Sequence, residues 1–313
     1  MSCPACGSAK RVALFSASDR LYHTTERQFE VVKCGDCALL RLYPWPNPDE
    51  LKDYYPETYW FAPEQSTAAW LEEAYRRLVL RDHVNFVVSA LRRTEATGPV
   101  LDIGCGGALF GRLLRERGYE CVGLDSSLQA ARVGWGVNGV PVFEGDFLNA
   151  PLRPDSLQAV TMFHVLEHLY DPGKALAAIR RLLKPDGRLV VQVPNAASWQ
   201  FLLLGEKWNG VDVPRHLVNF RSSDLDKLLE GAGFEVLRHK YFSLRDNPAG
   251  LASSVAPGLD PMARRVRRIS ETQGVRLWKD LFYLGLVVAS VPLTFIEAMC
   301  QAGSTVMIEA KRK

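Results

Sequence analysis

The sequence predicts an α/β protein: a parallel, doubly wound sheet with helices on both faces, preceded by a small cysteine-rich module. Three observations predict it. From Val100 onward, short apolar strands alternate with helical segments, the pattern that packs into a parallel sheet. A glycine loop, Gly104-Cys105-Gly106-Gly107, sits between the first such strand and the first such helix. Two C-x-x-C pairs, Cys3/Cys6 and Cys34/Cys37, stand ahead of all this. A length of 313 residues suits one large domain with an appendage, or two domains; 47% hydrophobic and 23% charged residues exclude a disordered chain. The net charge of +3 does not mark a polyanion binder, so no nucleic-acid partner is expected. No charged and apolar leader follows Met1, and the odd count of seven cysteines fits a reducing cytoplasm better than a disulfide framework.

Residues 1–42 read as the first unit. A tetrahedral Zn2+ takes four thiolates at about 2.3 Å, and each C-x-x-C offers two from one tight turn. The 27 residues between Cys6 and Cys34 leave room for a hairpin, with 11–15 and 28–33 as its strands. Four cysteine ligands close the coordination sphere, so the zinc expected here is structural. Unrelated thiols or a redox C-x-x-C are the alternatives. The unit is too short to bury much core, so the metal would supply most of its folding energy.

Residues 43–95 begin with Tyr43-Pro44-Trp45-Pro46-Asn47-Pro48, Tyr54-Tyr55-Pro56 and Tyr59-Trp60-Phe61, where the prolines exclude a continuous helix. This stretch is either a linker packed on the next domain or an aromatic cover over its cleft. A helix is expected over about 68–93, with Leu71, Tyr75, Leu78, Val79, His83 and Phe86 on one face.

Residues 96–245 carry the alternation. Val100-Leu101-Asp102-Ile103 is the first strand, 108–117 a helix, and 120–124 the second strand, ending at Asp125. A glycine loop lets a ligand approach the backbone, and an acid about 20 positions on can bind ribose hydroxyls; Asp125 follows Gly106 by 19 residues. Leu109 occupies the third glycine position of the dinucleotide fingerprint, which disfavours NAD. Asp102, just before the loop, would repel a pyrophosphate and suit an ammonium group.

On these residues the chain resembles the class I S-adenosylmethionine (SAM) methyltransferases, whose first motif is similar to Asp102-Ile103-Gly104-Cys105-Gly106-Gly107. Matches continue in the family's order: Asp125, Gly145-Asp146-Phe147, 161–168, and 183–189 leading into a fifth strand at 190–193. The resemblance implies a Rossmann-like seven-stranded sheet and SAM as cofactor. It assigns Asp102, Gly104, Cys105 and Gly106 to the cofactor loop, and Asp125 with Ser126 to the ribose. Asp146 is assigned to the adenine amine, Phe147 to the adenine ring, and Phe163 and His164 to the end of the fourth strand. Ala108 departs from the family, which often has a third glycine there. The sulfonium carbon is already electrophilic, so the protein has mainly to orient the attack and, where needed, remove a proton.

The fourth strand is followed by Phe163-His164-Val165-Leu166-Glu167-His168, not the Asp/Asn-Pro-Pro-aromatic motif of nucleic-acid amino-methyltransferases. This is similar to the small-molecule group, including ubiquinone-pathway O-methyltransferases and sugar methyltransferases. Glu167 and His168 either serve the cleft chemistry or orient the following helix. Trp199, Trp208 and Arg215 are candidate acceptor contacts, Arg215 either holding an anionic group or pairing with Asp212. Pro214-Arg215-His216-Leu217 resembles a segment of zinc-ribbon methyltransferases of sugar and cell-surface polysaccharide pathways, which also begin with paired knuckles and a Tyr-rich linker. That likeness spans about 3–240. His216 is the candidate general base, the alternative being a histidine that bonds a lid to the core.

A helix begins at Ser222 and ends at Gly231 or Gly233, before a sixth strand from Phe234. The seventh strand falls in 303–313, so 246–302 is an insertion. It contains Arg264-Arg265-Val266-Arg267-Arg268 and a 16-residue uncharged run, 281–296, too short to cross a bilayer that needs about 20 apolar residues. The insertion over 264–296 is read as shallow contact with an anionic leaflet, packing on the core or a second subunit, or the wall of an apolar substrate pocket. The expected function is methyl transfer to an O or C atom of a small molecule, foremost a sugar or its lipid- or nucleotide-linked form. A prenylated phenol or quinol is the alternative acceptor. An RNA methyltransferase and a non-catalytic scaffold are disfavoured by the modest charge and the intact acidic set. The expected location is cytoplasmic, at the inner face of the membrane if the insertion meets lipid; oligomeric state is left open.

Overall fold

The computed structural model describes residues 2–56 and 69–313. β1 (Arg11–Ala17), β2 (Phe29–Cys34) and β3 (Leu40–Tyr43) form the expected N-terminal hairpin and one further antiparallel strand. α1 (Pro48–Asp53) is a single short helix between prolines, with Pro48 in its first turn and Asn47 accepting from the Glu50 amide in a capping box. α2 spans Ala69–Leu91. Its Val79, His83 and Phe86 are buried as expected, whereas Tyr75 and Leu78 are exposed, so the helix joins the core only from Val79 onward. Tyr59, Trp60, Phe61 and Ala68 lie outside the described residues, as does the Leu71 side chain.

The alternation then runs as expected through β4 (Val100–Ile103), α3 (Leu109–Arg115), β5 (Cys121–Asp125), α4 (Leu128–Gly136), β6 (Val142–Glu144), β7 (Leu157–Phe163), α5 (Pro172–Leu182) and β8 (Leu183–Pro194). β8 is longer than its expected 190–193 because the strand starts before the turn residues. Its pairing with β7 is interrupted between Leu157 and Ala159, with Asp186 in the left-handed region. After α6 (Trp199–Leu204) come β9 (Val218–Asn219), α7 (Ser222–Gly231) and β10 (Phe234–Lys240). The insertion follows as α8 (Asn247–Val255), α9 (Pro261–Val266) and α10 (Gln273–Met299), and β11 (Thr305–Arg312) closes the sheet.

The seven strands lie in the order β10-β11-β8-β7-β4-β5-β6, with β11 antiparallel to both neighbours. Strand order reverses at β4, with β5 and β6 to one side and β7 and β8 to the other. The crevice beyond the carboxyl ends of β4 and β7 is therefore the ligand position of this fold. Leu101, Ile103, Val160, Met162, Val191, Val193, Val306 and Ile308 fill the sheet interior. α5, α7 and the N-terminal module share one continuous core on one face, and α2 and α3 cover the other. The module does not close on itself: β9 pairs with β3 and becomes the fourth strand of its sheet.

Two expectations for the insertion change. α10 runs 27 residues, well beyond the uncharged run, because its helix continues through Lys279 and Asp280 at one end and Glu297 at the other. It is long and apolar enough to cross a membrane by composition, with a mean hydropathy of 1.8 over its best window. Its middle and its C-terminal end are nevertheless tied to the same globular body: Tyr283 Oη lies 2.8 Å from Ser253 Oγ, and the Gln200 amide N–H groups donate to Glu297 at 2.9 Å. The helix thus lies along the protein. The arginine cluster is no open basic patch either. Buried Arg264 is paired with Glu271, in the connection to α10, and with Asp280 on α10, and Arg267 donates to the Arg20 carbonyl.

Candidate active site

The loop after β4 turns through the left-handed region at Gly104 (φ 70°), Gly106 (φ 51°) and Ala108 (φ 57°). A Cβ on Gly104 would stand 2.4 Å from Val165 Cγ2, so glycine is required by space as well as by φ. Ala108 takes the strained conformation that a third glycine would relieve. The loop is fastened to β5: the Gly106 and Ser127 amides donate to Asp125 at 2.8 and 2.9 Å.

Asp102 is buried at the end of β4, where Thr161 Oγ1 donates to it at 2.6 Å. Burial, opposed by that hydrogen bond and reinforced by Asp125, pushes its carboxyl up to about 7. Burial also raises Asp125. A cationic amino group beside Asp102 would restore its charge. Ser126 and Asp146 are exposed beside this pocket, Asp146 accepting from the Leu148 amide and from Asn149. Phe147, expected against the adenine ring, is buried and packs into the main core. Phe163 stands edge-on to Phe110 and His83, at 4.9 and 5.1 Å between ring centroids. Cys105 borders the loop, its thiol pushed up by burial and by Asp102.

Beyond β7 and β8 opens a cleft of about 380 Å³, lined among others by His164, His168, His216, Trp208, Asp246 and Tyr283. His164 lies between two carboxylates, 3.1 Å from Glu167 and 3.6 Å from Asp246. Burial pulls its pKa down, but Asp246 and Glu167 outweigh this and raise it to about 9, so it is an imidazolium at neutral pH. Glu167 is fully buried and held in its charged form by His164 despite that burial. His168 and His216 meet edge to face at 4.7 Å. Burial and the neighbouring His216 push His168 down to about 4, so its ring is neutral. Its Nδ1 lies 3.0 Å from the Arg215 carbonyl and 2.9 Å from Tyr55 Oη. His216 Nδ1 lies 2.8 Å from the Gly210 carbonyl, which leaves Nε2 as its free nitrogen.

Arg215 takes the second of its two expected roles: it pairs with Asp212 and is not an anion-binding acceptor contact. It is fully buried, with its guanidinium engaged by Asp19, Asp212 and the Tyr54 carbonyl and stacked over Tyr22. Asp19 belongs to the N-terminal module, so Arg215 clamps that module to the segment carrying His216. Trp208 lines the cleft and packs on Phe201, while Trp199 starts α6 and does not line it. Tyr55, on His168, belongs to the stretch read as a linker or an aromatic cover, whereas Asp246, Gln192 and Asp19 escaped the sequence reading. No motif marks them, and only the tertiary fold brings them to the histidines.

The four N-terminal sulfurs gather as two close pairs, Cys3–Cys37 and Cys6–Cys34, each 3.6 Å apart. A tetrahedron with 2.3 Å arms has edges of about 3.8 Å, so the donor set fits a four-thiolate zinc site. Burial opposes the Cys34 thiolate, but the Cys37 and Asp36 amides outweigh it and bring Cys34 to about 6.

The sheet order and the glycine loop fastened to Asp125, with buried Asp102 beside it, are those of an α/β enzyme with its ligand crevice at β4. A family model described as a methyltransferase domain matches residues 70–239. The probable SAM-dependent methyltransferase of Mycolicibacterium smegmatis is 28% identical over 205 residues, 64% of this chain and 69% of that protein. The ubiquinone biosynthesis O-methyltransferase of Pseudomonas paraeruginosa is 30% identical over 149 residues, 44% of this chain and 64% of that protein. The match thus spans about two thirds of these relatives' length. In fold, the chain is similar to the geranyl diphosphate C-methyltransferase of Streptomyces coelicolor, with a TM-score of 0.50 and 15% identity over 80% of this chain and 85% of that one. The chain belongs to the methyltransferase-domain family and is a SAM-dependent methyltransferase.

Proposed function

We propose that this enzyme moves the methyl group of SAM to an oxygen or carbon of an amphiphilic small molecule, a sugar in lipid- or nucleotide-linked form, at a lipid surface on the cytoplasmic side. The observation that carries the reading is that one helix, α10, faces both the cleft and open space. Tyr283 lines the cleft. On the other side Leu281, Phe282, Val288, Leu293, Phe295 and Ile296 are each half or more exposed. At 3.6 residues per turn they spread over about 160° of the helix. No charge falls between Leu281 and Ile296.

A helix whose whole outer side is apolar is unlike a water-facing one, and a single partner helix would cover only a narrow stripe of it. Acyl chains cover the entire arc, each side chain contributing on the order of 1 kcal/mol. α6 is strapped to the end of α10 through Glu297 and adds exposed Leu202 and Leu203. With Arg264 buried among its acids and Arg267 on the Arg20 carbonyl, the contact is mainly apolar. The four cysteines hold a structural Zn2+, and Asp102, Gly104, Gly106 and Asp125 hold SAM. His216 Nε2 takes the acceptor proton while the S–CH3 bond breaks and its electron pair returns to sulfur. A prenylated phenol is the second acceptor, favoured by the ubiquinone-pathway relatives.

The test combines vesicle flotation with methyl transfer from labelled SAM. Wild type should float with zwitterionic as well as anionic vesicles and label a lipid-extract acceptor; Leu281→Glu with Val288→Glu should abolish flotation. A stable dimer that buries this face and ignores vesicles overturns the lipid contact. Labelling of soluble nucleotide sugars alone moves the acceptor off the membrane, and labelling of RNA overturns the small-molecule reading.

A further inference from the structure

We propose that Glu167, His168 and His216 form a second metal site, for a divalent transition-metal ion, beneath the cleft. The inference rests on the acceptor reading given above for the ion's use, and it replaces the base role that reading gives His216. One carboxylate oxygen and one ring nitrogen from each histidine lie within 4.8 Å of one another. Ligand atoms of a bound ion stand about 3–4 Å apart, so ring and carboxylate movements on the order of 1 Å close the set.

Three features point to a ligand, not a plain hydrogen-bond cluster. First, Nδ1 of each histidine is matched to a backbone carbonyl, Arg215 for His168 and Gly210 for His216. For His216 this places the proton on Nδ1 and leaves the Nε2 lone pair free; His168 Nδ1 also meets Tyr55 Oη at 2.9 Å, but the carbonyl can only accept and favours the same tautomer, the second-shell arrangement that metal-ligating histidines use. Second, Glu167 is fully buried and, among the described residues, its Oε2 has no hydrogen-bond partner, while its Oε1 stands 4.0 Å from His216 Nε2. A charged carboxylate oxygen without a donor is costly in a protein interior, and a cation satisfies it. The other oxygen is braced by His164 at 3.1 Å. Third, the carbonyl that orients His168 belongs to Arg215, whose guanidinium is locked to Asp19 and Asp212, so the support is rigid.

Two imidazoles and one carboxylate suit Zn2+, Mn2+ or Fe2+, and three protein ligands leave positions open toward the cleft. Asp212 Oδ2 lies 3.8 Å from His216 Nε2 but is held by Arg215 Nε at 3.1 Å, so it flanks the set without joining it. In that open position the ion would bind the acceptor hydroxyl and make it acidic, as it does bound water. The O–H proton passes to solvent, the oxygen forms the new O–CH3 bond, and the S–CH3 pair stays on sulfur. His216 is then a ligand, and the proton leaves without a protein base.

The test is a Zn2+ titration by calorimetry of the full chain already carrying one zinc, with the final metal content measured after desalting. Wild type should take one further equivalent. His216→Asn and His168→Asn should each weaken it by about 100-fold while keeping the first zinc, the far-ultraviolet spectrum and SAM binding. No second equivalent up to about 1 mM, or one that both variants leave unchanged, overturns the site. Binding that follows this pattern without turnover of any acceptor supports the metal site and counts against the acceptor reading.

Discussion

Replacing Asp102 by asparagine separates charge from shape at the amino-acid end of the cofactor. The buried carboxyl titrates near 7 because burial and Asp125 disfavour its charge. The ammonium of SAM needs that charge, so binding must expel the proton from Asp102 below this pH. The sign follows: the proton is held more tightly in the free protein than in the complex, so affinity falls as pH drops. At pH 5.5 the loss is about 30-fold, or about 2 kcal/mol. Above about pH 8 the ligand's own amino group deprotonates, and affinity falls again. Asp125, also raised, adds to the acid limb. Asp102→Asn keeps the size and the Thr161 contact but removes the charge-assisted bond, worth about 1.5–3 kcal/mol, or roughly 10–150-fold in affinity. Calorimetric SAM titrations at four pH values between 5.5 and 8.5 read both effects. A variant that binds within threefold of wild type at pH 7.5, or that keeps the full acid limb, refutes the placement of the ammonium at Asp102.

Gly104→Ala puts a Cβ 2.4 Å from Val165 and forces a left-handed alanine. It should weaken SAM binding at least tenfold and lower stability by about 1–3 kcal/mol, read by calorimetry and urea unfolding. Arg215→Met leaves Asp19 and Asp212 without their buried counter-charge and should cost about 3–5 kcal/mol in urea unfolding; a loss under about 1 kcal/mol shows that the clamp is not structural. Cys34→Ser should release the expected zinc, detected by a chromogenic chelator, and loosen amide protection in β1–β3 before that in β4 and β7.

The legible part of this molecule was the part with a period or a punctuated motif. Strand–helix alternation, the loop from Asp102 to Gly107, Asp125 and the displaced seventh strand all carry local signals, and the sheet places them together. What escaped depends on partners far along the chain. The pairing of Arg215 with nearby Asp212 was legible as one of two alternatives, but Asp19, 196 residues away, was not. The arginine run reads as a basic face because nothing local shows Glu271 and Asp280 folding onto Arg264. The length of α10 was underread because charge was taken as its limit, whereas helical hydrogen bonding continues through charged ends that pack on the protein. Phe147 sits beside a motif residue but obeys the core. Asp246, which neighbours His164, Gln192 and His83, stands in a loop with no signature.

The pairing of β9 with β3 has a consequence for the order of events during synthesis. Translation must proceed 176 residues past Tyr43 (219 − 43) before Asn219, which ends β9, exists. At about 5–20 residues per second this is a wait of about 10–35 s. Throughout it, the module has an open strand edge at β3, and Asp19 has no Arg215 to meet. The knuckles can collect metal early, but the seat they share with the histidine segment is assembled only once the ribosome has delivered most of the catalytic sheet. The young chain is therefore most exposed to mispairing at its cysteine-rich end, and a pause before Arg215 would lengthen that exposure more than one after Asn219.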